Sequence, residues 1–139
     1  MSEPGNRPIR VIGLGCQRGC PVRALLGLVE ACLHEHALTV SDITALASID
    51  SKSAEAGLLA LGEQLQLPIG FFSADELAVF EPHLSHRSQV AFNHTGCYGI
   101  AESSALAMAS RLSGSPVKLV IERRNSSRAT FALAEYNPL

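Results

Sequence analysis

The sequence lacks the excess of positive charge that is typical of nucleic-acid binding and the apolar runs that membranes require. Its 139 residues contain 11 Lys and Arg against 13 Asp and Glu, for a net charge of −2. Without a basic bias, the composition does not favour a nucleic-acid partner. No apolar run approaches the roughly 20 residues of a membrane span, and residues 1–8 are polar rather than an apolar signal segment. We therefore expect a cytoplasmic protein with no membrane or nucleic-acid partner and a flexible start over residues 1–8.

Cysteine pairs with the spacing of common metal or redox sites are also missing. The four cysteines are Cys16, Cys20, Cys32 and Cys97, and no two of them are spaced C-x-x-C. Cys16 and Cys20 are spaced C-x-x-x-C, and we expect both to be reduced and metal-free thiols, with a metal site or disulfide as the minor alternative. Cys32 lies on an apolar helix face and is interpreted as a core residue.

The sequence also shows no recognisable set of catalytic side chains. His83, His86 and His94 have irregular spacing in or beside one loop, so a metal site there is not favoured. His94 and Cys97 are close in sequence, but that proximity is weak evidence for a nucleophile and its base. We predict no metal and no cofactor, and we leave the catalytic residues unassigned, with Glu102, Cys16 and Cys97 as candidates.

Strand-like and helix-like segments alternate along the chain, and 47% apolar residues are enough for one ordinary core. The patterns predict strands at 9–14, 43–49, 69–72, 116–122 and 128–135 and helices at 22–36, 53–67 and 99–113. A capping box at 73–76 predicts a short helix to about residue 80. The alternation predicts a three-layer α/β/α domain over 1–139, with a mixed, mainly parallel sheet of about five strands ending in a β-hairpin. The polar residues 123–127 are predicted to link the hairpin strands, and residues 88–94 to form a short helix or strand.

The stretch "GLGCQRGCP", residues 13–21, follows the first predicted strand and raises the main functional question. Ligands of open α/β sheets bind beyond the carboxyl ends of the strands. Glycines let the backbone approach a ligand, and both the start of the following helix and Arg18 favour an anion. No Walker lysine follows, and a third dinucleotide-fingerprint glycine is missing. We interpret Gly13, Gly15, Cys16, Arg18 and Gly19 as an anion cradle, with a simple tight turn as the alternative.

Two further segments could complete such a site. Asp50, Lys52 and Glu55 follow the second predicted strand, where Lys52 could bind a carboxylate or pair with Glu55 in a helix-capping cluster. Gly96 and Glu102 flank the start of the last long helix, and Glu102 is either a structural partner of a basic residue or a general base. We expect residues 13–19, 50–55 and 96–102 to line one cleft. Phe71 and Phe72 are interpreted as core residues, with an apolar wall for a ligand as the alternative.

Four motifs in this order resemble the CobE and CbiG C-terminal domain family of cobalamin biosynthesis, over residues 9–135. They are Gly13-Leu14-Gly15-Cys16-x-Arg18-Gly19, then Ser48-Ile49-Asp50-x-Lys52-x-x-Glu55, then Gly96 followed by Ala101-Glu102-x-x-Ala105-Leu106, and finally Lys118 with Ala129-Thr130-x-Ala132-x-Ala134. The length is similar to that of a free-standing CobE-like protein.

The resemblance implies a ligand class and two alternative activities. The ligand would be a precorrin or another corrin intermediate, an apolar macrocycle with acetate and propionate arms that a cationic, Gly-rich loop would suit. The protein would bind such an intermediate or help to process it. Alternatively, it would be a lactone-hydrolase-like enzyme acting on the ring, as CbiG is, although CbiG has additional domains. A small-anion or nucleotide-binding domain is the least favoured reading. Other enzymes of the pathway, or a second copy in a homodimer, could cover the exposed part of the ring.

Overall fold

The computed structural model describes residues 7–85 and 99–138, which form one five-stranded sheet with helices on both faces. The expectations for residues 1–6 and 88–94 lie outside these ranges. The strands are β1 (Ile9–Cys16), β2 (Ala45–Ile49), β3 (Ile69–Phe72), β4 (Lys118–Asn125) and β5 (Ala129–Tyr136). The helices are α1 (Val22–Glu35), α2 (Ala56–Leu65), α3 (Ala74–Ala78) and α4 (Ile100–Ser113), with short 3-10 turns at Val40–Asp42, Asp50–Lys52 and Glu81–His83. Within these ranges, none of the helices combines the length and hydropathy that crossing a membrane demands.

The strand order across the sheet is β3-β2-β1-β5-β4. β1 and β2 pair in parallel, as do β2 and β3, whereas β5 is antiparallel to both of its neighbours. Four strands therefore run in one direction and β5 runs in the other. This arrangement confirms the predicted mixed sheet that ends in a β-hairpin.

The hairpin turn is shorter than the sequence suggested. Residues 123–127 were predicted to be a polar link, but β4 continues to Asn125 and β5 begins at Ala129. The pairing of β4 with β5 shifts register twice, between Leu119 and Ile121 and between Ile121 and Arg124. Such bulges add unpaired residues to one strand and increase its twist. As a result, polar residues that resemble a loop in the sequence belong to an edge strand.

Other helix and strand ends differ from prediction by a few residues. α2 begins at Ala56 rather than residue 53, because Asp50–Lys52 form a 3-10 turn first. β2 begins at Ala45 rather than residue 43, because a capping box between Thr39 and Asp42 holds the preceding turn. The capping box of Ser73 and Glu76 is present as predicted and starts α3.

The two faces of the sheet are packed with side chains of different size. We call one the large-residue face: it is covered by α1 and α2, and its core includes Ile12, Leu14, Leu46, Phe131 and Leu133, each fully buried. We call the other the small-residue face: it is covered by α4 with α3 beside it, and its core includes Ala45, Ala47, Ala105, Ala109 and Ala134. Cys32 belongs to the large-residue face and is 1% exposed, as predicted for a core residue.

β1 shows the origin of this difference within one strand. Successive side chains of a strand point to opposite faces. Ile12 and Leu14 point to the large-residue face, and Cys16 packs against its core. Val11 points to the small-residue face, and the alternate positions 13 and 15 on that side are glycines. The sequence "VIGLGC" thus combines a bulky surface on one face with an almost flat surface on the other.

Candidate ligand-binding edge of the sheet

The carboxyl ends of the parallel strands meet at one edge of the sheet. β1, β2 and β3 end there at Cys16, Ile49 and Phe72. Since Cys16 pairs with Ala129, the turn before β5 lies at the same edge. We call the loop residues 16–20, 50–55 and 126–128 the carboxyl edge. It is the place where open α/β sheets bind ligands.

The first two predicted segments are in direct contact. The backbone N–H of Gly19 donates a hydrogen bond of 2.9 Å to Oε2 of Glu55. The start of α2 lies against the same loop, because a Cβ added to Gly57 would come within 2.2 Å of the carbonyl oxygen of Cys20. The structure therefore brings residues 13–19 and 50–55 together, as expected.

The start of α4 lies against the end of β1, so the third predicted segment is also nearby. A Cβ added to Gly13 would come within 1.8 Å of the carbonyl oxygen of Ala101, and one added to Gly15 within 2.7 Å of Oγ1 of Thr130 and 3.9 Å of Ile100. Gly96 lies outside the described residues.

Gly13 and Gly15 thus have a role that the sequence did not reveal. We expected them to let a ligand approach the backbone, but the space beside them is filled by α4 and by Thr130. Both glycines face the small-residue face and permit the close packing of helix on strand. A larger side chain at Gly15 would clash within the protein, so its substitution would not report on ligand approach.

Gly19 is needed for the turn itself. Its φ of +77° is in the left-handed region, which L-residues with a side chain rarely adopt. We expected Gly19 to be part of an anion cradle, but its N–H already donates to the Glu55 carboxylate. Glu55 lies at the N-cap position of α2, but its side chain makes no capping bond to that helix. The loop therefore holds an internal carboxylate, and the expected helix cap is not formed by Glu55.

Cationic side chains at the carboxyl edge remain available to a ligand. Arg18 is exposed and Lys52 is half-buried. Within residues 7–85 and 99–138, neither forms an ion pair, and Lys52 does not pair with Glu55. Three other arginines do have partners, in the pairs Arg10–Glu135, Arg111–Glu76 and Arg124–Glu35. Asp50 is exposed at the start of the 3-10 turn.

The cysteines of the loop are thiols rather than thiolates at neutral pH. Burial raises the pKa of the Cys16 thiol to about 11, and the nearby charge of Lys52 only partly opposes this effect. Burial also raises the pKa of Cys20, whose Sγ lies 3.8 Å from the carbonyl oxygen of Pro21. Because the thiolate is the nucleophile, Cys16 is poorly prepared for catalysis.

The structure adds two observations on metals and thiols. Cys16, Cys20 and Cys32 are free cysteines. No cluster of three or more His, Cys, Asp or Glu side chains suited to a metal ion is found in the part of the chain that is described. The third catalytic candidate, Cys97, lies outside that part, as do His86 and His94.

Glu102 is buried, with 1% of its side chain exposed, and its carboxylate is engaged by backbone groups. It accepts hydrogen bonds of 2.8 Å from the N–H of Ser85 and of 2.8 Å from the N–H of Arg123, and a third from the hydroxyl of Ser85. Glu102 therefore links the chain at Ser85 and strand β4 to α4. This arrangement corresponds to the structural alternative, except that its partners are backbone groups and a hydroxyl rather than a basic side chain.

The two phenylalanines at the end of β3 lie in the protein interior to different degrees. Phe72 is 2% exposed and packs in the core of the small-residue face, and the Arg111 guanidinium lies 4.4 Å from its ring centroid. Phe71 is half-buried against the core of the large-residue face. The core interpretation is confirmed for Phe72.

Arg128 is a residue of the carboxyl edge that the sequence did not single out. We placed it within the last strand, but it lies in the turn before β5. Its carbonyl oxygen accepts a hydrogen bond of 2.9 Å from the N–H of Gln17. Only the register of the hairpin could have revealed this position.

A comparison with protein families decides which group the chain resembles. Residues 10–134 match the family model described as cobalamin synthesis G C-terminus. The chain belongs to this family. The family assignment establishes a role in cobalamin biosynthesis and agrees with the resemblance in the sequence motifs.

Individual relatives support the family assignment. The chain is 33% identical to Protein CobE of Sinorhizobium sp. over 124 residues, which cover 89% of this chain and 78% of that protein. A solved crystal structure of CobE, described as a protein of the cobalamin (vitamin B12) biosynthetic pathway, is 40% identical and superimposes with a TM-score of 0.89, over 93% of this chain and 91% of that one. The α/β fold is therefore that of CobE.

A longer relative in the family is named as an enzyme. The chain is 26% identical to the cobalt-precorrin-5A hydrolase of Priestia megaterium over 129 residues. That match covers 93% of this chain but only 33% of the hydrolase. The chain therefore spans about one third of that enzyme's length.

Proposed function

We propose that this protein binds a precorrin or another corrin intermediate of cobalamin biosynthesis in the cytoplasm, with Arg18 and Lys52 at the carboxyl edge holding carboxylate arms of the ring. The observation that carries the proposal is the pair of cations beside the Gly-rich loop. Within the described residues neither has an anionic partner, whereas a corrin intermediate presents several carboxylates.

The side chains, rather than the loop backbone, supply the affinity in this proposal. Glu55 already accepts the hydrogen bond of Gly19, and Gly13 and Gly15 are packed against other parts of the protein. Charge-assisted hydrogen bonds from Arg18 and Lys52 are stronger than neutral ones. The binding surface is therefore a cationic rim at the carboxyl edge, and it differs in this respect from the backbone cradle inferred from sequence.

An enzyme acting on the ring, with a lactone-hydrolase-like reaction, is the alternative. The hydrolase of P. megaterium gives it support through family membership. Two candidate catalytic groups are not free for such chemistry: the carboxylate of Glu102 holds backbone N–H groups, and burial keeps the Cys16 thiol protonated. The binding role therefore agrees better with the described geometry. A domain of this size would cover only part of the ring, which leaves room for a partner enzyme or a second copy of the chain.

Calorimetric titration with a matched pair of stable corrins tests the proposal. Dicyanocobyrinic acid has free carboxylate arms, whereas the arms of dicyanocobinamide are amidated. We expect the wild-type protein to bind the acid much more tightly than the amide, and binding to weaken with salt because the exposed charges are screened. Equal affinity for both probes, or no binding of the acid, would refute the carboxylate-binding proposal.

The variant Arg18→Ala tests whether a carboxylate arm of the corrin binds at the carboxyl edge. We expect it to weaken binding of dicyanocobyrinic acid by roughly threefold to tenfold, as for one exposed charge-assisted contact. Lys118→Ala removes one positive charge from the start of β4, where the side chain is exposed, and is the matched control that should bind like the wild type. Mass spectrometry of the corrin after incubation tests the enzymatic alternative, which an altered product mass would favour.

A further inference from the structure

The turn between β4 and β5 is hydrogen-bonded to the Gly-rich loop. The N–H of Gln17 donates to the carbonyl oxygen of Arg128 over 2.9 Å. The side-chain amide of Gln17 donates to the carbonyl oxygen of Ser127 over 3.4 Å. Because Gln17 immediately precedes Arg18, these bonds place the turn directly beside the cationic part of the loop.

The turn is also held by its own hydrogen bonds. The hydroxyl oxygen of Ser126 accepts from the N–H groups of Arg128 and Ala129, over 3.3 and 3.1 Å. The N–H of Ser126 donates to the carbonyl oxygen of Ala129 over 2.8 Å. A serine hydroxyl that bonds its own turn in this way favours one backbone conformation. The backbone of Arg128 therefore has a defined position relative to the loop.

Arg128 resembles Arg18 in its surroundings. Both side chains are exposed, and neither forms an ion pair with any residue in the described ranges. Burial raises the pKa of the Cys20 thiol; the charge of Arg128 acts against that rise, the carboxylate of Glu55 adds to it, and the charge of Lys52 again acts against it. Arg128 of the hairpin turn and Lys52 of the 3-10 turn therefore both lie near enough to affect the Cys20 thiol at the end of the loop.

We propose that Arg128 is a further carboxylate-binding residue beside Arg18 and Lys52, so that the loop and the hairpin turn together hold neighbouring carboxylate arms of one ligand. The inference rests on the proposed function and adds a contact to the same ligand from a different segment of the chain. Arg18 would hold one arm and Arg128 the next, each through the planar guanidinium fork that suits a carboxylate. A ligand with a single carboxylate would use only part of this surface and bind more weakly.

Calorimetric titration of dicyanocobyrinic acid into Arg128→Ala, Arg18→Ala and the double variant tests the inference. We expect Arg128→Ala to weaken binding roughly threefold to tenfold. Because two arms are held separately, the double variant should lose about the product of the two single losses. Arg128→Lys should bind with intermediate affinity, since it keeps the charge but loses the fork. Lys118→Ala is again the control for the loss of one charge, and thermal unfolding checks that each variant is folded.

Failure of the inference and failure of the proposed function give different results. If Arg18→Ala weakens binding while Arg128→Ala binds like the wild type, the turn does not hold an arm and the inference is wrong, but the proposed function stands. If the double variant binds no more weakly than Arg18→Ala, the inference is likewise overturned. If the wild-type protein does not bind dicyanocobyrinic acid, the proposed function fails and the inference fails with it.

Discussion

Each face of the sheet has a buried core, but the two cores are built from different side chains. The large-residue face fills the space under α1 and α2 with Leu, Ile and Phe side chains. The small-residue face also contains large side chains such as Phe72 and Leu106, but its alanines and the two glycines of β1 let the backbone of α4 come close to the backbone of the strand. The large-residue face needs bulky side chains to fill the space between the sheet and its helices. On the small-residue face, a side chain added at Gly13 or Gly15 would collide with neighbouring atoms.

This difference explains how the carboxyl edge is built. The close approach of α4 brings Ile100 beside Gly15 at the end of β1. Bulky residues on the opposite side of the same strand hold α1 and the loop that precedes it. The packing of both faces therefore determines the shape of the edge to which we assign the ligand, and each face can be disturbed separately by a suitable substitution.

The largest effect is expected from truncation on the large-residue face. Phe131 is fully buried in β5 among the large side chains of that core. Phe131→Ala should lower the free energy of unfolding by roughly 3–5 kcal/mol, because it removes buried surface and leaves a cavity. Urea-induced unfolding measures this change. A loss below about 1 kcal/mol would show that the face can collapse around the gap and is less tightly packed than we describe.

On the small-residue face, adding a single methyl group should be the damaging change. Gly13→Ala would place a Cβ within 1.8 Å of the carbonyl oxygen of Ala101 and 2.8 Å of the nitrogen of Ala105. Both are backbone atoms, so strand and helix must move apart. We expect a loss of roughly 3 kcal/mol, at the upper end of the range for overpacked cores. Unfolding at wild-type denaturant concentrations would contradict the close-packing account.

Substitution of Glu102 tests whether its hydrogen bonds stabilise the contact between α4 and β4. The N–H groups of Ser85 and Arg123 donate to different oxygens of the Glu102 carboxylate, and Glu102→Gln replaces one of these oxygens by an NH₂ group, so that one of the two N–H groups loses its acceptor. We expect a loss of roughly 1–3 kcal/mol in unfolding free energy, as for a buried group left without its partner. Glu30→Gln, the same change at an exposed site of α1, is the control. Wild-type stability combined with lost corrin binding would instead assign Glu102 to the ligand.

The smallest effect, of opposite sign, is expected at a glycine with open surroundings. Gly27 is exposed in the interior of α1, and no atom lies within 4 Å of a Cβ added there. Gly27→Ala should raise the free energy of unfolding by roughly 0.5–1 kcal/mol, because alanine is the better helix former. The same substitution thus stabilises at Gly27 and destabilises at Gly13. Destabilisation at both positions would mean that the close contacts with Ala101 and Ala105 do not explain the cost at Gly13.

Much of the fold could be predicted because local signals bound its elements. β3 was predicted at its observed bounds, since Pro68 precedes it and the Ser73–Glu76 capping box follows it. α1 was predicted to within one residue from its apolar spacing. The register of the hairpin depends instead on bulges in β4, which leave no clear mark in the sequence. For this reason the turn and Arg128 were missed.

The candidate site was only partly predictable. The order of strands and loops is enough to predict that Arg18, Lys52 and Glu55 lie at the same edge, because parallel strands end together. The purpose of the glycines could not be predicted. A glycine shows that space is needed beside the backbone, but only the structure shows that α4 and Thr130 occupy that space. Sequence alone also could not show that Gly19 already has an anionic partner in Glu55.

The position of the bound corrin tests the central claim most directly. In the ¹H–¹⁵N spectrum of labelled protein, addition of dicyanocobyrinic acid should shift the amide signals of residues 16–20, 50–55 and 126–128, because these segments form the carboxyl edge. Signals of residues 7–10 and 41–44, at the amino end of β1 and before β2, should stay in place. If the shifts fall at the amino end instead, or if the carboxyl edge is unaffected at saturating ligand, the ligand does not bind at the carboxyl edge and our account is wrong.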